Sequence, residues 1–129
     1  MNTIRRARDD AGLYQILNYV HDRPYDIADI NFEKEAGQVS IPVQLRSVRK
    51  ERRLGGLLKV QGSTRGALIF RHITDMSIVD KAETGQGDIA TISFSDGRLV
   101  VEGGLPVTIT MNTNTIDVEL VLPEDADLT

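Results

Sequence analysis

The chain has no cysteine and no tryptophan, and aromatic residues make up only 5% of its 129 positions. Without cysteine there is no disulfide framework, no thiolate metal site and no cysteine nucleophile, and nothing points to an oxidising compartment. With so few rings the interior has to be built from Ile, Val and Leu, a composition that favours strands. Long apolar runs are missing too. No stretch approaches the roughly 20 residues of a membrane-spanning helix, and residues 1–10, which carry Arg5, Arg6 and Arg8, are not followed by the apolar core of a secretory signal. A cytoplasmic protein with no membrane attachment is expected. Positive charge is also in deficit: 15 Lys and Arg stand against 19 Asp and Glu, a net charge of −4. That balance argues against a dedicated nucleic-acid binder, which needs a clear positive field.

What is present describes one globular domain. The chain is 40% hydrophobic and 26% charged, too apolar for disorder and the right length for a single core. Its charge is segregated. Arg46, Arg49, Lys50, Arg52 and Arg53 form a basic stretch interrupted by Glu51, whereas residues 124–127 are acidic. Residues 1–8 are expected to be flexible, and residues 123–129 to form a mobile acidic tail.

Leu13, Ile16, Leu17 and Val20 fall at i, i+3, i+4 and i+7, the apolar face of an amphipathic helix. Asp9 or Asp10 suits its N-terminus, and Pro24 stops it near His21-Asp22. Tyr25 and Ile27, then Ile30 and Phe32, are apolar with a change of phase that a bulge or a strand twist would cause. Val39, Ile41, Val43 and Leu45 alternate with polar residues as a strand, and Pro42 places that strand at an edge or leaves it paired through its other side. Residues 47–56 have no apolar period and end in Gly55-Gly56, so they are expected to be an exposed loop. Gly62-Ser63-Thr64-Arg65-Gly66 and Gly85-Gln86-Gly87 are expected to be turns. Residues 67–80 suit one bent strand or two short ones. Residues 88–122 suit a meander, with Asp96-Gly97 as a tight hairpin turn.

The sum is a mainly β, α+β fold. One N-terminal helix packs on a curled antiparallel sheet of about eight strands, sandwich- or barrel-like. A helix of three turns cannot cover eight strands, so curling or a homodimer contact has to do the rest.

Few residues could carry chemistry. His21 and Asp22, with Asp26 and Asp29 following, could hold a divalent metal, and His72 with Asp75 could join them. The simpler account has His21 stabilising the helix C-terminus and His72 on the wet side of a strand. The two glycine-rich pieces lack the Walker A and dinucleotide patterns and the helix that should follow them. Ser63 and Ser95 have no nucleophile-elbow context. No catalytic residue, metal or cofactor is therefore assigned. Arg46, Arg49, Lys50, Arg52 and Arg53 are the candidate binding residues, suited to an acidic partner. The absence of interleaved aromatics disfavours RNA.

The run Leu17-Asn18-Tyr19-Val20-His21-Asp22, closing a helix before Tyr25-Asp26-Ile27 and an antiparallel meander, resembles small uncharacterised bacterial α+β domains. Some of these are related to immunity proteins of toxin systems. The His-Asp dipeptide also resembles that of metal-dependent HD phosphohydrolases, but their further ligands on a helical bundle have no counterpart here. The first resemblance implies a non-catalytic binding or accessory module that presents a charged surface to another protein. The competing class is a small-ligand or metal-dependent enzyme with a site between helix and sheet built from His21, Asp22 and His72.

Overall fold

The computed structural model of the chain describes residues 2–127, the side chains of Arg49 and Arg53 excepted. The aliphatic periodicities condense into one helix and eleven strands among the described residues, and every strand pairing is antiparallel. The chain is thus mainly β with a single N-terminal helix, and neither sheet closes into a barrel.

The helix α1 spans Asp10–Val20, and Asp9 caps it by accepting a 2.7 Å bond from the Gly12 N–H. An uncapped N–H there would face water without an intrahelical partner. Its buried face is Leu13, Ile16 and Val20, each contributing roughly 2 kcal/mol by leaving water. The helix packs on β1 (Thr3–Ala7), β4 (Gln38–Arg53) and β8 (Thr91–Ser95).

One sheet has the order β1, β11 (Val118–Leu122), β5 (Gly56–Phe70), β4 and β3 (Asn31–Glu33). The second runs β6 (Asp75–Asp80), β10 (Val107–Asn112), β9 (Arg98–Glu102) and β8, and a small ribbon pairs β2 (Pro24–Asp26) with β7 (Gln86–Asp88). Alternation assigns the faces. Val39, Ile41, Val43 and Leu45 of β4 and Val107, Ile109 and Met111 of β10 point into one shared core with Phe70, Leu99, Val101 and Leu120. Two sheets covering one interior, in sandwich fashion, answer the shortage of helix.

The departures from expectation have local causes. The N-terminus is strand: Arg6 pairs in register with Glu119 and Ala7 with Val118, a pairing hidden because Ile4, Arg5 and Arg6 face outward. The phase change after Tyr25 is a 3-10 turn, Ile27–Asp29, rather than a bulge or a strand twist. Gly62 to Gly66 continue β5 instead of turning. Gly66 is there for close approach, since a Cβ would come within 2.6 Å of Leu45 Cδ1 and 2.8 Å of the Val121 carbonyl oxygen. Residues 67–80 split between the sheets, with Ile73 buried at the crossing. β8, β9 and β10 form the expected meander, and Asp96 and Gly97 both take positive φ at its tight turn. β11 leaves the meander for the first sheet. Beyond Pro123 the tail lies along β4: the Val48 N–H donates to the Asp125 carbonyl at 2.9 Å and the Asp127 N–H to that of Arg46 at 2.8 Å. Pro42 falls between the stretches of β4 paired with β3 and with the tail, where a missing N–H costs least. No helix among the described residues is long and apolar enough to cross a membrane.

Candidate functional site

The basic stretch is not a loop. Residues 46–53 are the distal half of β4, joined to β5 by a two-residue turn at Leu54-Gly55, with Arg53 paired to Gly56. Gly55 and Gly56 hold φ of +100° and +136°, which side-chain-bearing residues rarely adopt. The tail supports β4 as far as Val48 and β11 supports β5 from Ala67 onward. Beyond the Val48–Gln61 pair, the two strands are paired only with each other among the described residues. Six register pairs and the turn make an arm reaching roughly 20 Å beyond the sheet at ~3.4 Å per residue.

The register sorts the arm's side chains. Ile41, Val43, Leu45 and Ser47 are buried, so the even-numbered residues of β4 take the opposite face, together with the odd-numbered residues of β5 that pair with them. On the arm this outer face carries Val48, Lys50, Arg52, Leu57, Lys59 and Gln61, without one carboxylate. Lys50 stands directly opposite Lys59, and Arg52 is their diagonal neighbour opposite Leu57. Like charges so placed repel, by roughly 0.2–1 kcal/mol per pair. The tip is apolar and bare: Leu54, Leu57 and Leu58 are 108%, 68% and 53% exposed. Arg46 sits at the root, exposed, with its carbonyl bonded to the tail. Arg49 and Arg53 belong to the same strand.

Sequence reading missed Lys59 and the three leucines. Counting outward from the Leu54-Gly55 turn pairs position 50 with 59, but only if the glycines are read as a hairpin turn rather than as the end of a loop.

The histidines are not brought together in one cleft. His21 closes the helix through its backbone, donating its N–H to the Leu17 carbonyl at 2.8 Å, while its ring Nδ1 lies 3.1 Å from Asp22 Oδ2. That pair lines a cleft of about 300 Å³ with Asn18, Arg23, Arg46 and Asp127. His72 instead lies 3.3 Å from Asp117 Oδ2 and borders an open cleft of about 670 Å³ with Lys34, Gly37, Thr74 and Asn112. It lies just past β5, at φ +62°, rather than within a strand. Asp29 pairs with Arg65, and Asp75 accepts from the Met76 N–H at 3.0 Å. Among the described residues, no three His, Asp or Glu side chains stand together as metal ligands.

A second charged region lies where β2 and β7 meet the ends of β6 and β9. Asp26 pairs with Gln86 and Pro24 with Asp88. Asp80 Oδ2 accepts from the Gly85 N–H and Asp88 Oδ1 from the Leu105 N–H, each at 2.9 Å. Glu83 donates its N–H to the Asp80 carbonyl at 3.3 Å. Four carboxylates thus share one end of the molecule with Lys81. Beneath them Tyr25 is 2% exposed, and its hydroxyl has no hydrogen-bond partner among the described residues. Burial first, then the charges of Asp88 and Asp80, push this phenol up to about 12. A phenol whose native value is raised adds stability that is full below its unfolded value of 10.0 and is lost as pH climbs toward about 12. Tyr25→Phe should therefore change stability little at neutral pH and remove this component of alkaline unfolding. Urea titrations of both proteins across that window check it, and parallel loss in the two would refute the assignment.

Comparison with protein-family models, with curated proteins and with solved structures finds no match for this chain.

Proposed function

We propose that this chain is a non-catalytic binding module that grips an acidic protein surface with its β4–β5 arm. The observation that carries this reading is the facing pair Lys50 and Lys59, with Arg52 beside them, on a projecting ribbon face that has no carboxylate. A fold gains nothing by setting like charges opposite each other in water. A partner that brings carboxylates converts the repulsion into attraction, and speeds encounter through the field of a cluster held clear of an acidic body. Arg46 lies on the same face nearer the root, and Arg49 and Arg53 belong to the same strand. An immunity-type protein, acting by covering a partner and needing no site chemistry, is the class that suits this design. A bacterial cytoplasm is the setting that belongs to it. The rival small-ligand or metal-dependent enzyme needs His21 and His72 in one cavity, and they line different clefts.

Retention of the intact protein on immobilised polyglutamate tests the reading. The wild type should be held at low ionic strength and released by salt. The Lys50→Ala/Arg52→Ala/Lys59→Ala variant should pass through unretained with an unchanged circular-dichroism spectrum, since all three side chains are exposed. Equal retention of the two proteins, or none of the wild type, would defeat the proposal.

A further inference from the structure

The chain divides its charge unevenly. Residues 48–61 carry five cations and one anion, net +4, which leaves ten cations and eighteen anions, net −8, on everything else. Molecules of this protein are therefore electrostatically complementary to one another, arm to body. Apart from Ile4 on β1 and Tyr14 on α1, the large exposed apolar side chains lie on the arm or on the strands and turns of the acidic end. Leu54, Leu57 and Leu58 crown the arm, while Leu105, 40% exposed, donates its N–H to Asp88 at the end that carries Asp26, Asp80 and Glu83, and Val79, 50% exposed, precedes Asp80 on the other face of β6. Basic-plus-apolar on one element thus has a counterpart, acidic-plus-apolar, on another.

We propose that the surface gripped by the arm is a second copy of this chain: each arm lays Lys50, Arg52 and Lys59 on the acidic end of its partner, with the apolar tip against Leu105. The arrangement is reciprocal, since each molecule has one arm and one acidic end, and two such contacts close a symmetric dimer. It also supplies what the paired arm lacks. A two-stranded ribbon with no third strand and no apolar cover is marginal in water, and a partner supplies the missing cover. Nucleic acid and anionic bilayers would also meet the basic face, but neither accounts for the matching acidic and apolar end. This inference rests on the arm being an anion-seeking surface and names what it seeks.

Sedimentation equilibrium of the full chain across a salt series provides the test. The wild type should be dimeric at low ionic strength and dissociate as salt rises. Lys50→Glu/Arg52→Glu/Lys59→Glu should weaken self-association by roughly a hundredfold, and so should Asp26→Lys/Glu83→Lys. Mixing the two variants should restore a dimer, because the reversed arm of one then meets the reversed end of the other while the native arm meets the native end. All five positions are exposed, so both variants should fold. A wild type that is monomeric at every ionic strength yet held by polyglutamate overturns the second-copy inference and leaves the anion-seeking arm standing. Absence of both behaviours removes both. A dimer indifferent to salt and to either variant places the interface elsewhere and overturns the inference, as does a monomer whose arm binds duplex DNA or phosphatidylserine vesicles.

Discussion

Gly103→Ala should lower stability by about 3 kcal/mol and the melting temperature by roughly 10 °C. A Cβ at this position would overlap the carboxylate and carbonyl oxygens of Asp88 and stand 2.7 Å from its carbonyl carbon. A clash with a flexible side-chain tip relaxes by rotation, but a clash with backbone has to move a strand. Here the strand is β7, tied to β2 through the Pro24–Asp88 pair. The connection from β9 to β10 closes on Asp88, whose Oδ1 accepts the Leu105 N–H, and only a residue without a side chain allows that approach. The neighbouring Gly104 provides the control. A Cβ there would touch Asp88 Oδ2 at 3.5 Å, ordinary contact, so Gly104→Ala should stay within about 0.5 kcal/mol of wild type. Thermal melts of both variants decide the matter. Equal effects would mean that the packing around Asp88 is not as described.

Removing Glu119 should cost about 2 kcal/mol, and the effect should depend on pH. Glu119 lies on the outer face of β11, yet its side chain is only 7% exposed, because Arg6 of β1 and Arg71, just past β5, close over it. Arg71 Nη1 is 2.9 Å from Glu119 Oε1, and Arg6 bonds the same oxygen. A carboxylate held between two guanidiniums is favoured in its charged form. The Arg6 hydrogen bond, opposed by burial and aided by Arg71, keeps Glu119 below the usual carboxylate range. Both arginines retain contact with water, so Glu119→Ala lets them rehydrate and the loss stays below that of breaking a fully buried pair. The sign of the pH effect follows from the depressed native value. The stabilisation is complete above the unfolded value of 4.5 and disappears as pH falls through the lower native one. Wild type and Glu119→Gln should therefore differ most near neutrality and converge in acid. A gap in urea midpoints that is constant with pH would show that the charge contributes nothing.

Much of the architecture could be read directly from the residues. The i, i+3, i+4, i+7 face of Leu13, Ile16, Leu17 and Val20 specifies α1, and Asp9 marks its start. Alternation at Val39 to Leu45 and at Val107 to Met111 specifies buried strand faces, and Asp96-Gly97 its hairpin turn. These signals survive in the sequence because burial writes polarity with the period of the backbone. Where nothing is buried, nothing is written. The distal half of β4 buries no apolar side chain among those described and exposes Arg46, Lys50 and Arg52, so Arg46 to Arg53 look like loop although their backbone is fully paired. β1 is hidden for a related reason, since it is an edge whose outward residues are Ile4 and two arginines.

The candidate surface divides in the same way. The identity of its cations was visible along the chain, but their arrangement was not. That Lys59 faces Lys50, that three leucines crown the arm, and that Asp26, Asp80, Glu83 and Asp88 gather at one end are consequences of register and of strands meeting from distant parts of the chain. By itself, then, the sequence determined a cysteine-free, aliphatic, mainly β domain with one capped helix and segregated charge, because composition and local period act residue by residue. Only the tertiary structure decided that the basic segment is a projecting ribbon, that the two histidines serve separate clefts, and that β11 crosses to the first sheet. Those outcomes depend on long-range pairing, whose free energy is shared among many residues and marks none of them.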